Sequence, residues 1–303
     1  MTPHTPPHPA AGHRDHSGHQ DHSGHQDHSG KHAHPGQHDD DGLAELLELE
    51  AEILGPLLDE VVGWVAQHVG EAPRTVVDIG AGTGPGSRLL ARRYPSARVV
   101  AIDRSAPRLE RLRAIARTQG LADRISTVQA DLDDAWPEIG PVELGWAAAS
   151  LHEVAAPDRL LRDLHAGMRP GGLLAVVELD ALPRFLPEDI GTGRPGLERR
   201  CHEVLARAHW NAYPDWGPHL QEAGFRIAGR RRFGVEARPA PPGTGRWAHG
   251  TLQRARPALT GHLAADDLLA LEHLLAEDSA GAVLHREDLV LRAGRTVWAA
   301  RRA

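Results

Sequence analysis

A glycine-rich turn after an apolar segment constrains the fold of this chain more than any other sequence feature. Glycine stands at alternate positions in Asp78-Ile79-Gly80-Ala81-Gly82-Thr83-Gly84-Pro85-Gly86, directly after the apolar run Thr75–Ile79. Glycine tolerates the positive φ angles of a tight turn and lets backbone amides approach a ligand closely. Because a helical pattern over Gly86–Arg93 follows, the sequence predicts a strand, a ligand-binding turn and a helix in immediate succession.

Apolar runs and helical patterns alternate along the rest of the chain. Further strands are expected over Arg98–Ile102, Ile125–Gln129, Val142–Ala149, Leu173–Leu179, Phe225–Glu236 and Leu289–Ala300. Helices are expected over Leu43–Val69, divided at Gly55-Pro56, and over Ala106–Gln119, Pro157–Met168, Gly196–Ala223, Arg246–Arg256 and Ala264–Ala276. This order predicts an α/β fold built on a doubly wound, mostly parallel, seven-stranded sheet.

Two acidic residues follow the second and third predicted strands. Asp103 lies 19 positions after Gly84 at the end of the second strand, and Asp131 follows the third. An acid in the first of these places can accept hydrogen bonds from both hydroxyls of a ribose. Both acids are expected at the carboxyl edge of the sheet, where open α/β sheets bind their ligands. The sequence therefore predicts a nucleoside-containing cofactor.

A dinucleotide-binding dehydrogenase is the main alternative for such a turn. Its fingerprint requires glycine at the sixth position of Gly-x-Gly-x-x-Gly. Counted from Gly80, the sixth position is Pro85, and counted from Gly82 it is Ser87. The acid inside the first strand, Asp78, is also foreign to that fingerprint. The sequence thus disfavours an NAD(P)-dependent dehydrogenase but keeps it as an alternative.

The motifs described above resemble those of the class I S-adenosylmethionine-dependent methyltransferases, most clearly over residues 74–180 and more loosely over 43–303. The resemblance implies a Rossmann-like fold with S-adenosyl-L-methionine as the cofactor. It also implies that Asp103 binds the ribose and that Asp131 and Leu132 bind the adenine. The cofactor-binding residues implied in this way are Asp78, Gly80, Ala81, Gly82, Gly84, Asp103, Arg104, Asp131, Leu132 and Ser150.

The stretches Ser150–Glu153 and Arg169–Gly172 resemble the subgroup that methylates small molecules, including quinones and natural products. The resemblance implies direct displacement of the methyl group by a small organic acceptor, whose reacting atom (oxygen, nitrogen or carbon) is left open. His152 is the first candidate for a general base because the ordinary pKa of histidine lies near working pH, and Glu153 is the second. A cofactor-binding protein without turnover is the alternative from a different class.

The first 42 residues form a histidine-rich tail in which six histidines recur at every third position. They are His13, His16, His19, His22, His25 and His28. The tail has almost no apolar surface to offset the entropy of ordering, so it is expected to be disordered. Imidazole is a ligand of nickel, zinc and copper, so the tail is expected to bind such ions weakly, whereas its biological role stays open.

The remaining expectations concern a helical lid, a helical insertion, the location of the protein and its partners. As in related enzymes, residues 43–70 are expected to form a helical lid, and residues 238–278 a helical insertion between the last two strands. The net charge of −7 gives no basic footprint for nucleic acid. Neither a secretory signal nor an apolar segment of bilayer length is visible, and the single Cys201 excludes an internal disulfide. A cytoplasmic location without membrane contact is therefore expected, and the oligomeric state stays open.

Overall fold

The structure, a computed structural model, describes residues 37–210 and 213–303. Residues 1–36 of the predicted histidine-rich tail lie outside the described residues, whereas residues 37–42 belong to the first helix. The helix that begins the predicted lid therefore starts at Gln37, six residues before the expected boundary at Leu43. Within this described part, no helix has the length and apolarity needed to cross a membrane.

The described residues fold into strands and helices with the following bounds. The strands are β1 Thr75–Ile79, β2 Arg98–Asp103, β3 Ile125–Gln129, β4 Val142–Ala148, β5 Met168–Leu179, β6 Phe225–Ala237 and β7 Leu291–Arg302. The helices are α1 Gln37–Ile53, α2 Gly55–Ala66, α3 Pro85–Arg93, α4 Ala106–Thr118, α5 Pro157–Gly167, α6 Leu197–Arg207, α7 Trp216–Glu222, α8 Thr244–Leu259 and α9 Ala265–Leu275. Short 3-10 turns cover Leu151–Glu153 and Val283–His285.

The strands form a single sheet in the order β3-β2-β1-β4-β5-β7-β6. β1 to β5 pair in parallel with one another, whereas β7 lies antiparallel between β5 and β6. From β1 the chain adds β2 and β3 on one side of the sheet, and it then adds β4 and β5 on the other side of β1. The direction of the crossovers therefore reverses between β1 and β4. This topology confirms the predicted doubly wound, mostly parallel, seven-stranded sheet.

The apolar side chains of the parallel strands are buried on both faces of the sheet. In β1, Val76 belongs to a hydrophobic cluster with residues of α2 and α3, whereas Val77 and Ile79 belong to a second cluster with residues of α5. Burial on both faces explains why these strands appear in the sequence as continuous apolar runs. The two clusters hold the strand ends rigidly, and the loops of the candidate site project from those ends.

Two predicted elements differ from the structure in extent, each for a local reason. The helix expected over Gly196–Ala223 is divided, since α6 ends at Arg207 shortly before His209 with its φ of +50°, and α7 begins after Asp215, whose Oδ1 accepts a hydrogen bond from the amide of Gly217 at 3.0 Å. β5 begins at Met168 rather than at Leu173, because the segment 169–172 is an irregularity inside the strand where its pairing with β4 shifts register.

Gly84 shows why the turn after β1 requires glycine. Its φ is +81°, and a Cβ atom built there would lie 1.5 Å from Cδ1 of Leu112 in α4. The packing of α4 against the turn therefore leaves no room for any side chain at this position. Gly120 offers a matched comparison, since its φ is +67° and a Cβ atom there would meet nothing within 4 Å.

We expect Gly84→Ala to destabilise the fold more than Gly120→Ala. Both variants place alanine at a positive φ, which costs about 1–2 kcal/mol. Only Gly84→Ala also forces a side chain into Leu112, which adds about 1–3 kcal/mol for overpacking. Urea-induced unfolding of the two variants measures the difference in free energy. Equal losses would contradict the packing described for α4.

Candidate active site

The tips of β1, β2 and β4 meet around the glycine-rich turn. The amide of Ala81 donates to the carbonyl of Ile102 at 2.8 Å, and Oγ of Ser150 donates to the carbonyl of Ile79 at 2.7 Å. A Cβ atom at Gly80 would lie 2.6 Å from Cβ of Ser150, so only glycine allows this approach. The crossover direction reverses between β1 and β4, which is where open α/β sheets form a ligand-binding crevice.

The carboxylate of Asp103 ties the tip of β2 to the turn. Its Oδ2 accepts a hydrogen bond from the amide of Gly82 at 2.8 Å, and its Oδ1 accepts one from the amide of Ser105 at 2.8 Å. Each carboxylate oxygen has two lone pairs, so each retains an acceptor position for a sugar hydroxyl. Arg104, the next residue, is exposed at the same strand tip.

The tip of β3 lies beside the tip of β2. The amide of Ala130 donates to the carbonyl of Asp103 at 3.1 Å, which brings Asp131 next to it in the same loop. Asp131 is exposed, and its Oδ1 accepts a hydrogen bond from the amide of Asp133 at 2.9 Å. Leu132 is buried beside it. The two predicted recognition acids therefore do converge at one edge of the sheet.

The carboxylate of Asp78 packs against the first turn of α3. The side chain is 3% exposed, and its Oδ2 accepts a hydrogen bond from Oγ of Ser87 at 2.6 Å. Burial raises the pKa of Asp78 to about 6, against the opposing effect of the Ser87 hydrogen bond. This acid thus fixes the helix start that follows the turn, and its contact with a cofactor stays a prediction.

The turn itself has the properties of a ligand cradle. Gly80, Gly82 and Gly84 all have positive φ, so the backbone folds in a way that few side chains would tolerate. Oγ1 of Thr83 is buried and has no hydrogen-bond partner among the described residues. A buried hydroxyl without a partner is rare in proteins and is typical of a site that a ligand or a water completes. These features fit the adenosyl cofactor that the motifs imply.

Helix α1 lies over the glycine-rich turn. Cδ1 of Leu47 lies 3.6 Å from the position of a Cβ atom at Gly82. Glu48 forms an ion pair at 2.7 Å with Arg88, whose guanidinium also donates to the carbonyl of Thr83 in the turn at 2.8 Å. This pair joins residues 40 positions apart, and no sequence pattern indicated it.

A second ion pair holds α1 from the other side. Glu50 pairs with Arg295 of β7, whose side chain is almost completely buried. Helix α1 therefore contacts both α3 and β7. Its position depends on two ion pairs, one with Arg88 of α3 and one with Arg295 of β7.

His152 lies between two carboxylates at the tip of β4. Its Nδ1 is 2.8 Å from Oε2 of Glu178, and its Nε2 is 3.5 Å from Oε1 of Glu153. Burial alone would lower the pKa of His152, but the hydrogen bonds to Glu153 and Glu178 outweigh it and raise the pKa to about 9. The ring is therefore an imidazolium at neutral pH, which is a donor and a cation rather than a ready base.

Glu178 is a functional candidate that the sequence reasoning did not single out. It is 1% exposed, and it also accepts a hydrogen bond from the amide of Leu151 at 3.0 Å. A carboxylate inside the apolar run Leu173–Leu179 was the available signal, because a buried acid in a strand requires a partner. It fixes the loop after β4 and orients His152 at the same time.

Glu153 is the exposed member of this group. Its hydrogen bond with His152 lowers the pKa of Glu153, and the positive charges of His152, Arg104 and Arg254 lower it further. Arg254 is half-buried on α8, in the predicted insertion. The tip of β2, the tip of β4 and α8 therefore bring three cationic groups around one exposed carboxylate.

Asp180, at the end of β5, has a structural role. Its Oδ1 accepts a hydrogen bond from Oγ1 of Thr296 at 2.5 Å, and its Oδ2 binds the guanidinium of Arg232. Both carboxylate oxygens are thus engaged by β6 and β7, so Asp180 is a poor candidate for acid–base chemistry.

Tyr213 packs edge-on against the ring of His152, with centroids 5.1 Å apart. Two tryptophans have other surroundings: Trp64 packs against Phe233 of β6, and Trp216 is buried in the core. Of these aromatic residues, Tyr213 therefore contacts the candidate catalytic group.

The backbone at the tip of β4 is strained. Ala149, which is not glycine, has a φ of +50°. Such a conformation costs about 1–3 kcal/mol and is concentrated at functional sites. The strain lies directly before Ser150, which contacts the glycine-rich turn, and it supports the assignment of the site to this strand tip.

No group of three or more histidine, cysteine or acidic side chains among the described residues is arranged to hold a metal ion. The metal-binding prediction concerns His13, His16, His19, His22, His25 and His28, all of which lie outside the described residues.

Known proteins are similar in sequence to the part of the chain that forms this site. Residues 76–172 match a family described as a methyltransferase domain. The trans-aconitate 2-methyltransferase of Methylobacterium nodulans is 30% identical over 210 residues, which cover 68% of this chain and 79% of that protein. The malonyl-[acyl-carrier protein] O-methyltransferase of Laribacter hongkongensis is 33% identical over 162 residues, 51% of each protein.

Other similarities cover less of each relative or are more distant. The trans-aconitate 2-methyltransferase of Azoarcus sp. strain BH72 is 41% identical over 34% of this chain and 38% of that protein. For most of these relatives the chain spans about half of their length or less. A solved structure from Bacillus halodurans C-125, named as a candidate methyltransferase, shares the fold with a TM-score of 0.51 at 16% identity, over 79% of this chain and 97% of that one.

We expect the ring of His152 to titrate near pH 9 in the wild-type chain. The pKa of His152 is raised from 6.5 to about 9, so protonation of its ring stabilises the folded state. This contribution to the free energy of unfolding is complete below pH 6.5 and is lost as the pH rises through about 9. Glu178→Gln removes the buried carboxylate and should lower the pKa of His152 substantially. NMR titration of the ring protons, assigned with His152→Gln, measures both values.

Asp158→Asn is the matched control, because Asp158 pairs with His219 at 2.6 Å in another histidine–carboxylate contact. It should leave the titration of His152 unchanged. A titration of His152 near pH 6.5 in the wild-type chain, or the same pKa in Glu178→Gln, would contradict the charged pair described above.

Proposed function

The chain belongs to the class I S-adenosylmethionine-dependent methyltransferases, and on this premise we propose that it transfers a methyl group from S-adenosyl-L-methionine to a small organic acceptor. The observation that carries the proposal is the convergence of Asp103, Asp131 and the glycine-rich turn at one edge of the sheet. Bound S-adenosyl-L-methionine supplies a methyl group activated by the positive charge of its sulfonium.

Three parts of the crevice would hold the cofactor. The free lone pairs of Asp103 would accept hydrogen bonds from the ribose hydroxyls, and Asp131 with the amide of Leu132 would recognise the adenine. The turn from Gly80 to Gly84, with Ala81 and Ser150 beside it, would surround the amino acid part. Each assignment is supported by placement at the carboxyl edge of the sheet, at the tips of β1, β2, β3 and β4.

The chain contributes mainly alignment and exclusion of water to such a reaction. A direct displacement requires the acceptor atom, the methyl carbon and the sulfur in line, and a closed site avoids competing hydrolysis. Residues 43–70 are proposed as the lid, because α1 covers the turn through Leu47. Residues 238–278, which contain α8 and α9, are proposed to bound the acceptor side, because Leu46 of α1 packs against Gly250 of α8.

His152 and Glu153 are proposed as the catalytic residues on the acceptor side. His152 can act as a general base only after it loses the proton that Glu178 and Glu153 stabilise, so a positive charge near the acceptor is its favoured contribution. Organic acids are the first acceptors to test, because relatives of this chain are named for methylation of trans-aconitate and of malonyl-[acyl-carrier protein].

The histidine-rich tail is proposed to bind metal ions separately from the methyl transfer. The support is its sequence, in which histidine recurs at every third position from His13 to His28. Imidazoles on a chain with such spacing suit Ni²⁺, Zn²⁺ or Cu²⁺ in several geometries.

We expect calorimetry to detect binding of S-adenosylmethionine and S-adenosylhomocysteine but not of NADH. Asp103→Ala should weaken the affinity for S-adenosylhomocysteine about 100-fold or more, because it removes two charge-assisted hydrogen bonds of about 1.5–3 kcal/mol each. Asp123→Ala is the control, since Asp123 is exposed before β3, at the opposite edge of the sheet.

Turnover of the methyl donor with an acceptor then separates an enzyme from a protein that only binds the cofactor. Binding of NADH in place of the sulfur-containing ligands would overturn the proposal. An unchanged affinity in an Asp103→Ala variant that is still folded would overturn the assignment of the ribose acid.

We expect deletion of residues 1–36 to abolish most uptake of Ni²⁺ or Zn²⁺ and to leave the affinity for S-adenosylhomocysteine unchanged. The deletion removes ten of the 21 histidines and ends before α1 begins at Gln37. Equilibrium dialysis with each ion and calorimetry with the cofactor product measure the two effects. Full metal uptake by the shortened chain would refute the role of the tail.

A further inference from the structure

We propose that Glu48 of α1 is a positioning residue for the glycine-rich turn and that it acts through Arg88. Arg88 holds the peptide unit between Thr83 and Gly84 in one orientation, so the shape of the turn depends on the docking of α1. The inference rests on the proposed methyltransferase function and deepens it by naming what regulates the conformation of the cofactor site. A continuous series of hydrogen bonds from α1 to the backbone of the turn carries it.

Three backbone amides anchor the glycine-rich turn at the edge of the sheet. The amide of Ala81 donates to the carbonyl of Ile102 at 2.8 Å. The amide of Gly82 donates to Oδ2 of Asp103 at 2.8 Å. The amide of Gly84 donates to the carbonyl of Ala81 at 2.8 Å and closes the turn. These bonds join the turn to itself and to the tip of β2, so they do not involve α1.

A fourth anchor of the turn is a side chain from α3. Nη1 of Arg88 donates to the carbonyl of Thr83 at 2.8 Å. This carbonyl and the amide of Gly84 belong to the same planar peptide unit and point in opposite directions. Arg88 and the carbonyl of Ala81 therefore bind the two sides of one peptide unit, which fixes its orientation.

This peptide unit needs both anchors because glycine at position 84 permits another orientation. Rotation of the unit exchanges the directions of its carbonyl and its amide and requires a large change of φ at Gly84. The φ of Gly84 is +81°, and glycine adopts negative φ about as readily as positive φ. The two orientations present different polar groups to a ligand. Loss of the contact from Arg88 would leave the bond to Ala81 alone to oppose this rotation.

Glu48 fixes the guanidinium of Arg88. Its Oε1 and Oε2 accept hydrogen bonds from Nη1 and Nη2 of Arg88 at 3.2 and 2.7 Å. One carboxylate thus engages both terminal nitrogens of a rigid, planar group and sets its plane. The side chain of Arg88 is 9% exposed, and a buried cation without a counterion is costly. Loss of the carboxylate therefore favours movement of the guanidinium toward solvent and away from Thr83.

The second ion pair of α1 provides a comparison within the same helix. Glu50 pairs with Arg295 of β7, whose Nη1 donates to the carbonyl of Gly294 in the same strand at 3.1 Å. Glu48 and Glu50 therefore share their charge, their helix and the kind of partner. In the described part of the chain, only the pair of Glu48 continues to the backbone of the turn.

Selective isotope labelling observes this peptide unit in the full chain without any cofactor. When threonine carries ¹³C at its carbonyl and glycine carries ¹⁵N, an NMR experiment that correlates the two nuclei detects only Thr-Gly peptide units. The sequence contains four of them: Thr83–Gly84, Thr192–Gly193, Thr244–Gly245 and Thr260–Gly261. Thr83→Ser assigns the signal of the turn, because serine is not labelled.

We expect Glu48→Gln to shift or split the signal of the Thr83–Gly84 unit, because its carbonyl loses a fixed donor. Glu50→Gln weakens the docking of the same helix and should leave this signal in place. The signals of Thr192–Gly193 and Thr260–Gly261 should stay unchanged in both variants, as evidence that the chain remains folded. An unaltered Thr83–Gly84 signal in Glu48→Gln, or the same change in both variants, would overturn the inference.

Calorimetry with S-adenosylhomocysteine measures the effect on the cofactor site. Glu48→Gln should weaken binding at least about fivefold more than Glu50→Gln, because a turn with two orientations has the binding conformation for only part of the time. Glu45→Gln is the control for charge on the same helix, since Glu45 is exposed, and it should leave the affinity unchanged. Equal losses in Glu48→Gln and Glu50→Gln would reduce Glu48 to a docking role and contradict the proposal.

A double-mutant cycle tests whether Glu48 acts through Arg88. Arg88→Lys retains the positive charge but lacks the planar group that binds Glu48 and Thr83 together. In the Arg88→Lys background, Glu48→Gln should therefore change the affinity for S-adenosylhomocysteine by less than about twofold. A double variant that loses the product of the two single effects would show that Glu48 acts independently, against the proposal.

Failure of the proposed function has a different signature. A wild-type chain that does not bind S-adenosylhomocysteine would refute the methyltransferase function, whereas the NMR comparison needs no ligand and still tests the role of Glu48. Tight binding of S-adenosylhomocysteine, together with identical behaviour of Glu48→Gln and Glu50→Gln, would refute this inference alone.

Discussion

The hydrogen bond between the carboxylate of Asp103 and the amide of Gly82 is the contact on which the candidate site depends. It joins the tip of β2 to the turn after β1, and both strands are fixed by burial on two faces of the sheet. The turn can accept this contact because its glycines adopt positive φ, and Gly84 leaves room for α4. The crevice is thus a consequence of strand order and backbone conformation before any ligand is present.

Asp78 and Glu178 are two buried acids of this site that have different kinds of partner. The carboxylate of Asp78 is bound by neutral groups of Ser87, and burial favours its neutral form. Glu178 is also buried, yet its Oε2 lies 2.8 Å from Nδ1 of His152. Desolvation is the same cost in both cases, and the partner decides whether it is offset. The effect of burial on each acid therefore depends on a partner that only three-dimensional contacts reveal.

The sequence predicted the sheet well because its strands are continuous apolar runs between glycine-containing turns. β1 and β3 have the predicted bounds, and Asp103 and Asp131 lie at the predicted edge. The failures have local or long-range causes. A helical pattern continued past Pro214, where a cap at Asp215 starts a new helix. The contacts of Asp78 with Ser87 and of His152 with Glu178 depend on three-dimensional adjacency that periodicity does not encode.

The docking of α1 through Glu48 and Glu50 has a consequence for cofactor exchange. Lifting this helix would separate both ion pairs, whose arginine side chains are 9% and 5% exposed while the helix is docked. Both pairs have to break before the helix can leave the turn, so they favour the docked state. The rate at which a bound cofactor dissociates would then depend on how often both ion pairs break. Dissolved salt would accelerate this dissociation by supplying substitute counterions.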